Sequence, residues 1–324
     1  MRKNRSLINW FLSPELTNTN LSQHSIRKLC DLVLFNLEKR KNIKLKSSIK
    51  INKFDVNRIV DKNLFNAIQK LIKKINIWEH NKYFKHFLIH GSISSNDYIV
   101  GWSDLDTWVV IDDEKIKSKD DLYKLFVFFK DINKILFKID EFAHHGYITL
   151  LNSDLSYYGN DIMPIEVLKE SKIIYGENVI NYNLIDTVQI EKKRLLSIKE
   201  LFINFNKTKL FESHSYKGKY LSAYDLDNNY GMYQLKYIIS LIASIPSLYL
   251  SYLKKPIYKK KSFIEFENKF GTIEIINNVS KIRSRWNYDD NLKSKNNKIP
   301  NWVLNKLGKN WVNQTIDLFN KLNI

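Results

Sequence analysis

One stretch of this chain constrains its fold and chemistry more than any other. The apolar run Phe87-Leu88-Ile89 ends at His90-Gly91-Ser92. Thirteen residues after Gly91 the sequence reads Asp104-Leu105-Asp106 and runs into Thr107-Trp108-Val109-Val110-Ile111. Short β-branched and aromatic runs of this kind read as strands. Side chains alternate along a strand, so Asp104 and Asp106 are expected on one face and Leu105, Thr107 and Val109 on the other. Two carboxylates side by side repel unless a cation lies between them, and their hard oxygens suit Mg²⁺ or Mn²⁺. Gly91 has no side chain, so backbone amides there can approach a phosphate closely, and the Ser92 hydroxyl adds a donor. A helix opening after Ser92 would add an anion-binding end. Phosphate at one strand end and metal at the next is what holding a nucleoside triphosphate requires. The cation would neutralise phosphate charge and make an attacking hydroxyl more acidic. Gly-Ser or Asp-x-Asp alone is weak; their combination in strand context is specific.

The surroundings of that stretch read as α+β with a small mixed sheet. Leu64, Phe65, Ile68, Leu71, Ile72 and Ile75 fall at helical spacing over 63–76, as do Leu122, Leu125, Phe126, Phe129, Ile132 and Leu136 over 119–138. Tyr147–Leu151 reads as a further strand. Ile26, Leu29, Cys30, Val33, Leu34 and Leu37 mark a helix over 26–37, and the lysine-rich 41–60 reads as a connector. From about residue 181 strand signals fade, and helical stripes occupy 187–206, 221–253 and 301–322. The expected organisation is an N-terminal helical segment at 1–60, an α/β core at 61–180 and a helical substrate-binding domain at 181–324.

Composition narrows the partners. The formal net charge of +18 favours polyanions such as nucleotides or nucleic acid. Lysine and asparagine are abundant throughout, however, so a solvated lysine-rich surface explains much of the excess. Cys30 is the only cysteine, which excludes an intrachain disulfide and a thiolate metal cluster. Its place on an apolar helical face reads as a buried inert thiol, and the setting as reducing cytoplasm. Met1–Leu12 is too short for a signal sequence. Tyr237–Leu253 is apolar but holds Pro246 and several serines, so it reads as a bundle helix, with no membrane partner expected.

The segment 86–111 resembles the signature of the DNA polymerase beta-like nucleotidyltransferase superfamily: Gly-Ser, a short helix, then Asp-x-Asp on the next strand. The helical C-terminal part is similar in architecture to kanamycin-type and lincosamide-type nucleotidyltransferases. The resemblance implies that Gly91 and Ser92 bind the triphosphate and that Asp104 and Asp106 hold Mg²⁺. It implies transfer of a nucleoside monophosphate to an acceptor hydroxyl with release of pyrophosphate. The acceptor it favours is a small molecule; an RNA or protein acceptor, or a degenerate nucleotide-binding protein without turnover, are the alternatives.

One departure stands out. The superfamily usually carries a third carboxylate on the next core strand, and His144–Leu151 has none in its middle. Glu141, Asp154 and Glu166 flank it. His144 or His145 could act instead as base or ligand, and His145 is the candidate taken forward. Lys217, in Tyr216-Lys217-Gly218-Lys219-Tyr220, is a candidate triphosphate clamp from the helical part, with a plain exposed loop as the alternative. Lys259-Lys260-Lys261 and Arg283-Ser284-Arg285-Trp286 are candidate RNA contacts or solvated charge.

Overall fold

A computed structural model describes residues 7–38, 44–136, 147–159, 162, 164–185, 188–208, 232–258, 260–287, 289–290 and 299–324. The described chain is α+β with a small mixed sheet. It divides into two compact units. The first comprises 1–96, 104–163 and 167–185; the second comprises 97–103, 164–166 and 186–324.

The first unit runs α1 (Leu7–Phe11), α2 (Pro14–Thr17), α3 (Gln23–Glu38), β1 (Ser47–Lys50), α4 (Lys62–Ile77), β2 (Phe84–Ile89), α5 (Gly91–Ser94), β3 (Thr107–Ile111), α6 (Lys119–Leu136) and β4 (Tyr147–Leu151). It closes with α7 (Ile165–Glu170), whose first two residues group with the second unit, then β5 (Lys172–Gly176) and β6 (Val179–Tyr182). Four strands form one sheet in the order β4-β3-β2-β5. The β3–β4 pair is parallel and the others antiparallel. The β2–β3 register sets Leu88 opposite Trp108 and Ile89 opposite Thr107.

The helices cover the sheet as their stripes require. In α4 the Asp61 carboxylate accepts from the Leu64 amide at 2.7 Å, capping a helix that buries Leu64, Ala67, Ile68, Leu71 and Ile75. In α6, Asp120 and Asp121 occupy the first turn, where negative charge suits the helix dipole, and Leu122, Leu125, Phe126, Phe129 and Ile132 are buried. Trp78, just after α4, stacks on Phe128 at 4.3 Å between ring centroids and also meets Phe84. Cys30 is fully buried, and burial pushes its thiol pKa up to about 11.

The N-terminal residues join the sheet's own unit. The Thr17 hydroxyl donates to the Ser13 carbonyl at 2.9 Å and accepts from Asn133 Nδ2 at 2.7 Å and from the Tyr147 hydroxyl at 2.8 Å. This buried network ties α2 to α6 and β4. The stretch expected as a connector contains β1, which pairs with β6 and sets Ile49 opposite Ile180. Beyond β1, the Phe54 amide donates to the Ile173 carbonyl and the Ile173 amide to the Asn52 carbonyl, covering the open edge of β5. Neither pairing has a sequence signal of its own.

The second unit is helical: α8 (Val188–Thr208), α9 (Met232–Tyr252), α10 (Lys260–Phe270), α11 (Glu274–Arg285), α12 (Asn301–Leu307) and α13 (Trp311–Lys321). The last stripe, expected as one helix over 301–322, is two. Gly308 takes φ +76° and ψ 166° and its amide bonds the Leu304 carbonyl, ending α12 in an extended positive-φ conformation open almost only to glycine. Among the described residues one helix, at Leu235–Tyr252, is long and apolar enough to cross a membrane. It is mostly buried, with α9 packed on α8, α10 and α11.

Candidate active site

The site is built on the first unit, where β2 and β3 end and begin side by side. The His90 amide donates to the Asp106 carbonyl at 3.0 Å, which continues the β2–β3 pairing one step past the strands. Gly91 then turns the chain with φ +75°. A Cβ built on Gly91 would lie 2.1 Å from Asp106 Oδ2, 3.1 Å from its Cγ and 3.2 Å from its Cβ. Glycine is therefore needed twice here, for the backbone angle and for the space that the Asp106 carboxylate occupies.

Serine hydroxyls hold the turn after Gly91. Ser94 Oγ and Ser95 Oγ both donate to the Gly91 carbonyl, at 3.1 and 2.9 Å, and the Ser95 amide reaches it at 3.3 Å. The Ser92 hydroxyl takes no part in these bonds. α5 is a single turn, so the expected helix after Ser92 is present, but its dipole is small. The Ser94 and Ser95 hydroxyl protons are thus committed to the Gly91 carbonyl, and only the Ser92 hydroxyl of this turn stands outside those bonds.

Asp104 and Asp106 are 8% and 7% exposed, and Leu105 between them is 1% exposed. Buried carboxylates in neighbouring positions are costly unless counter-charge or hydrogen bonds compensate. Trp108, two residues further on, is fully buried as expected and meets Tyr158 edge-on at 5.9 Å. His90 is buried beside Gly91.

The structure thus brings Gly91 and Asp106 into contact, with Ser92 following Gly91 and Asp104 two residues before Asp106. His145 and Lys217 lie outside the described residues, as do His144, Glu141 and Lys259. Of the flanking acids, Asp154 accepts from the Leu151 amide at 2.9 Å and from Asn9 Nδ2 at 3.4 Å, a capping role at the end of β4. Glu166 is buried and accepts from the Ser251 hydroxyl at 2.7 Å. Desolvation raises its pKa, opposed by that bond. Among the described residues no group of three His, Cys, Asp or Glu side chains is placed to hold a metal. The donors expected from the sequence number two, Asp104 and Asp106. Two carboxylates completed by phosphate oxygens and water are a common Mg²⁺ environment, so these residues fit that ion.

The basic motif 283–286 sits differently from a solvated face. In the helical unit Arg283 pairs with Asp97 at 3.0 Å, and Trp286 Nε1 donates to the Gly101 carbonyl at 3.1 Å. The Trp286 ring is buried and meets Trp102 at 5.0 Å. These contacts fix 97–103, the middle of the segment joining Ser92 to Asp104. Sequence reasoning missed them because the partners are separated by 185 and 186 positions. The alternation of Arg283, Ser284, Arg285 and Trp286 was the available signal: on a helix such neighbours face different ways.

No protein-family model, no curated protein and no solved structure matches this chain. The residues and their geometry carry the functional reading alone.

Proposed function

We propose that this chain is a Mg²⁺-dependent nucleotidyltransferase with a polymerase beta-like core. It moves a nucleoside monophosphate from a triphosphate to an acceptor hydroxyl and releases pyrophosphate. One observation carries the reading: the glycine that would cradle phosphate lies against the carboxylate that would hold metal, with no room for a Cβ between them.

Each residue then has a task. The backbone at Gly91 and the hydroxyl of Ser92 bind and orient phosphate oxygens. Asp104 and Asp106 would hold Mg²⁺, which when bound neutralises phosphate charge and acidifies the acceptor hydroxyl. The Ser94 and Ser95 hydroxyls keep the Gly91 turn in shape, so the cradle is rigid before a ligand arrives. Burial of both acids keeps bulk water from screening the charges they meet. Phosphoryl transfer of this kind needs positioning and charge stabilisation more than covalent help from the protein. In this proposal His145, the candidate carried forward from the sequence, would serve as base; Asp154 and Glu166 accept hydrogen bonds elsewhere.

A small hydroxylated acceptor is favoured on the resemblance of the described helices from residue 188 onward to the helical part of kanamycin-type and lincosamide-type nucleotidyltransferases. The test is incubation of the protein with α-labelled ATP, GTP, CTP and UTP, Mg²⁺ and a fractionated lysate. Label is expected in the small-molecule fraction. Label in RNA or protein would reassign the acceptor. No transfer from any of the four, in any fraction, would refute the activity.

A further inference from the structure

The helical unit holds a cleft of about 580 Å³ between α11 and α12, lined by Lys281, Ser284, Arg285, Trp302, Asn305 and Lys306. Three of these six side chains are cationic and none is a carboxylate. Lys281 and Arg285 are one helical turn apart on α11, so they project from one face, and both are exposed. Lys306 enters from α12. The Arg285 guanidinium lies over the Trp302 ring, 4.8 Å from its centroid. That stacking holds the guanidinium plane in place and leaves its N–H edge available. The Trp302 ring is fixed in turn, because Nε1 donates to Asp290 Oδ1 at 3.2 Å.

A second pocket of about 330 Å³ adjoins it, for Asn305 lines both. Its walls are mostly apolar, including Leu235, Ile238, Leu307 and Trp311, with Asn305 and Lys309 as the polar members. A preorganised arginine, two lysines and a hydroxyl match a phosphate group, which accepts several charge-assisted hydrogen bonds at once. An apolar hollow beside it matches an uncharged body on the same molecule. The volumes fall in the range of small-molecule sites, roughly 300–1,000 Å³. A nucleic-acid strand fits less well. Arg285 already occupies a face of Trp302, the one ring among the described lining residues on which a base could stack.

We propose that α11 and α12 form a binding site for a small organic phosphate, its phosphate held by Arg285, Lys281 and Lys306 and its apolar part in the neighbouring pocket. The site stands apart from the transfer reaction and does not depend on it.

The test uses the full-length protein labelled with ¹⁵N-tryptophan, the Trp302 indole signal being assigned with Trp302→Phe. Phenyl phosphate, inorganic phosphate and phenol are titrated in turn. Phenyl phosphate is expected to move the Trp302 signal to saturation, at lower concentration than inorganic phosphate, and phenol to leave it in place. Arg285→Met should weaken phenyl phosphate by about tenfold or more. Lys306→Met, which leaves the Arg285–Trp302 stack intact, should weaken it by at least about threefold. A signal that phenyl phosphate does not move, or that phenol moves equally well, overturns the proposal. So does affinity unchanged in Lys306→Met, or an oligouridylate decamer that moves the signal at lower concentration than phenyl phosphate. Because the readout is local to Trp302, its failure says nothing about triphosphate binding at Gly91, and failure of transfer says nothing about this cleft.

Discussion

Gly91→Ala places one methyl group where the site has no space. The new carbon would sit 2.1 Å from Asp106 Oδ2 and 3.2 Å from Asp106 Cβ. Turning the carboxylate about its own bonds relieves the first contact but not the second, so either the turn or the start of β3 must shift. The backbone at φ +75° adds its own cost, about 1–2 kcal/mol for a residue with a Cβ. Gly308→Ala is the control, because φ there is +76° and nothing lies within 4 Å of the added carbon. Both variants should lose on the order of 1–3 kcal/mol from the backbone term, and Gly91→Ala in addition displaces Asp106. Their activities should part company. A displacement of about 1 Å in a reacting group can cost on the order of a hundredfold in rate, so Gly91→Ala should transfer label at about 1% of wild type or less. Gly308→Ala should retain most of its activity. Chemical denaturation and the label-transfer assay measure the two quantities separately. Equal activity in the two variants would refute the claim that close approach at Gly91 builds the site.

Other outcomes follow from the same structure. His86 is buried on β2, with Nδ1 3.0 Å from the Glu177 carbonyl, and desolvation lowers its pKa from 6.5 to about 4. As pH falls the unfolded chain therefore takes up that proton first. The stability His86 contributes is whole above pH 6.5 and lost by pH 4, about 3 kcal/mol at most. Urea titrations at pH 7 and pH 4.5 should show a smaller drop for His86→Leu than for wild type; parallel drops would contradict this. Thr17→Val removes the hub that joins Ser13, Asn133 and Tyr147 and should cost about 1–3 kcal/mol by denaturant unfolding, a cost below about 0.5 kcal/mol counting against the network. Arg283→Met should speed amide exchange over 97–103, since the Asp97 pair is lost; unchanged exchange there would show that Trp286 alone holds the segment. Cys30 should react with a thiol reagent only as the protein unfolds, because it is buried and its thiolate is scarce at neutral pH.

Local signals made the strand ends and helix faces legible, and long-range pairings stayed hidden. An apolar run into Gly-Ser and an Asp-Leu-Asp entering a second apolar run specify two strand ends without reference to the rest of the chain. The α4 and α6 stripes were likewise readable, because a helical face repeats within a few residues. β1 was not, since Ser47–Lys50 is exposed at three of four positions and pairs with a strand 129 or more residues away. Its identity as a strand comes from β6, not from its own pattern. Gly308 lies inside a continuous apolar stripe and breaks it through one backbone angle, which periodicity does not register. Arg283 looked like surface charge because nothing near it in sequence announces Asp97. The contact between Gly91 and Asp106 was implied by the motif, but the lack of room for even one carbon became visible only in three dimensions.

Calorimetry with each of the four triphosphates, with and without Mg²⁺, in wild type and in Asp104→Asn, tests the site at its centre. At least one triphosphate should bind wild type in a Mg²⁺-dependent manner, and Asp104→Asn should weaken that binding by about tenfold or more while its unfolding curve stays close to wild type. Binding that ignores Mg²⁺, or that survives Asp104→Asn undiminished, would contradict a metal–triphosphate site between Gly91 and the two acids.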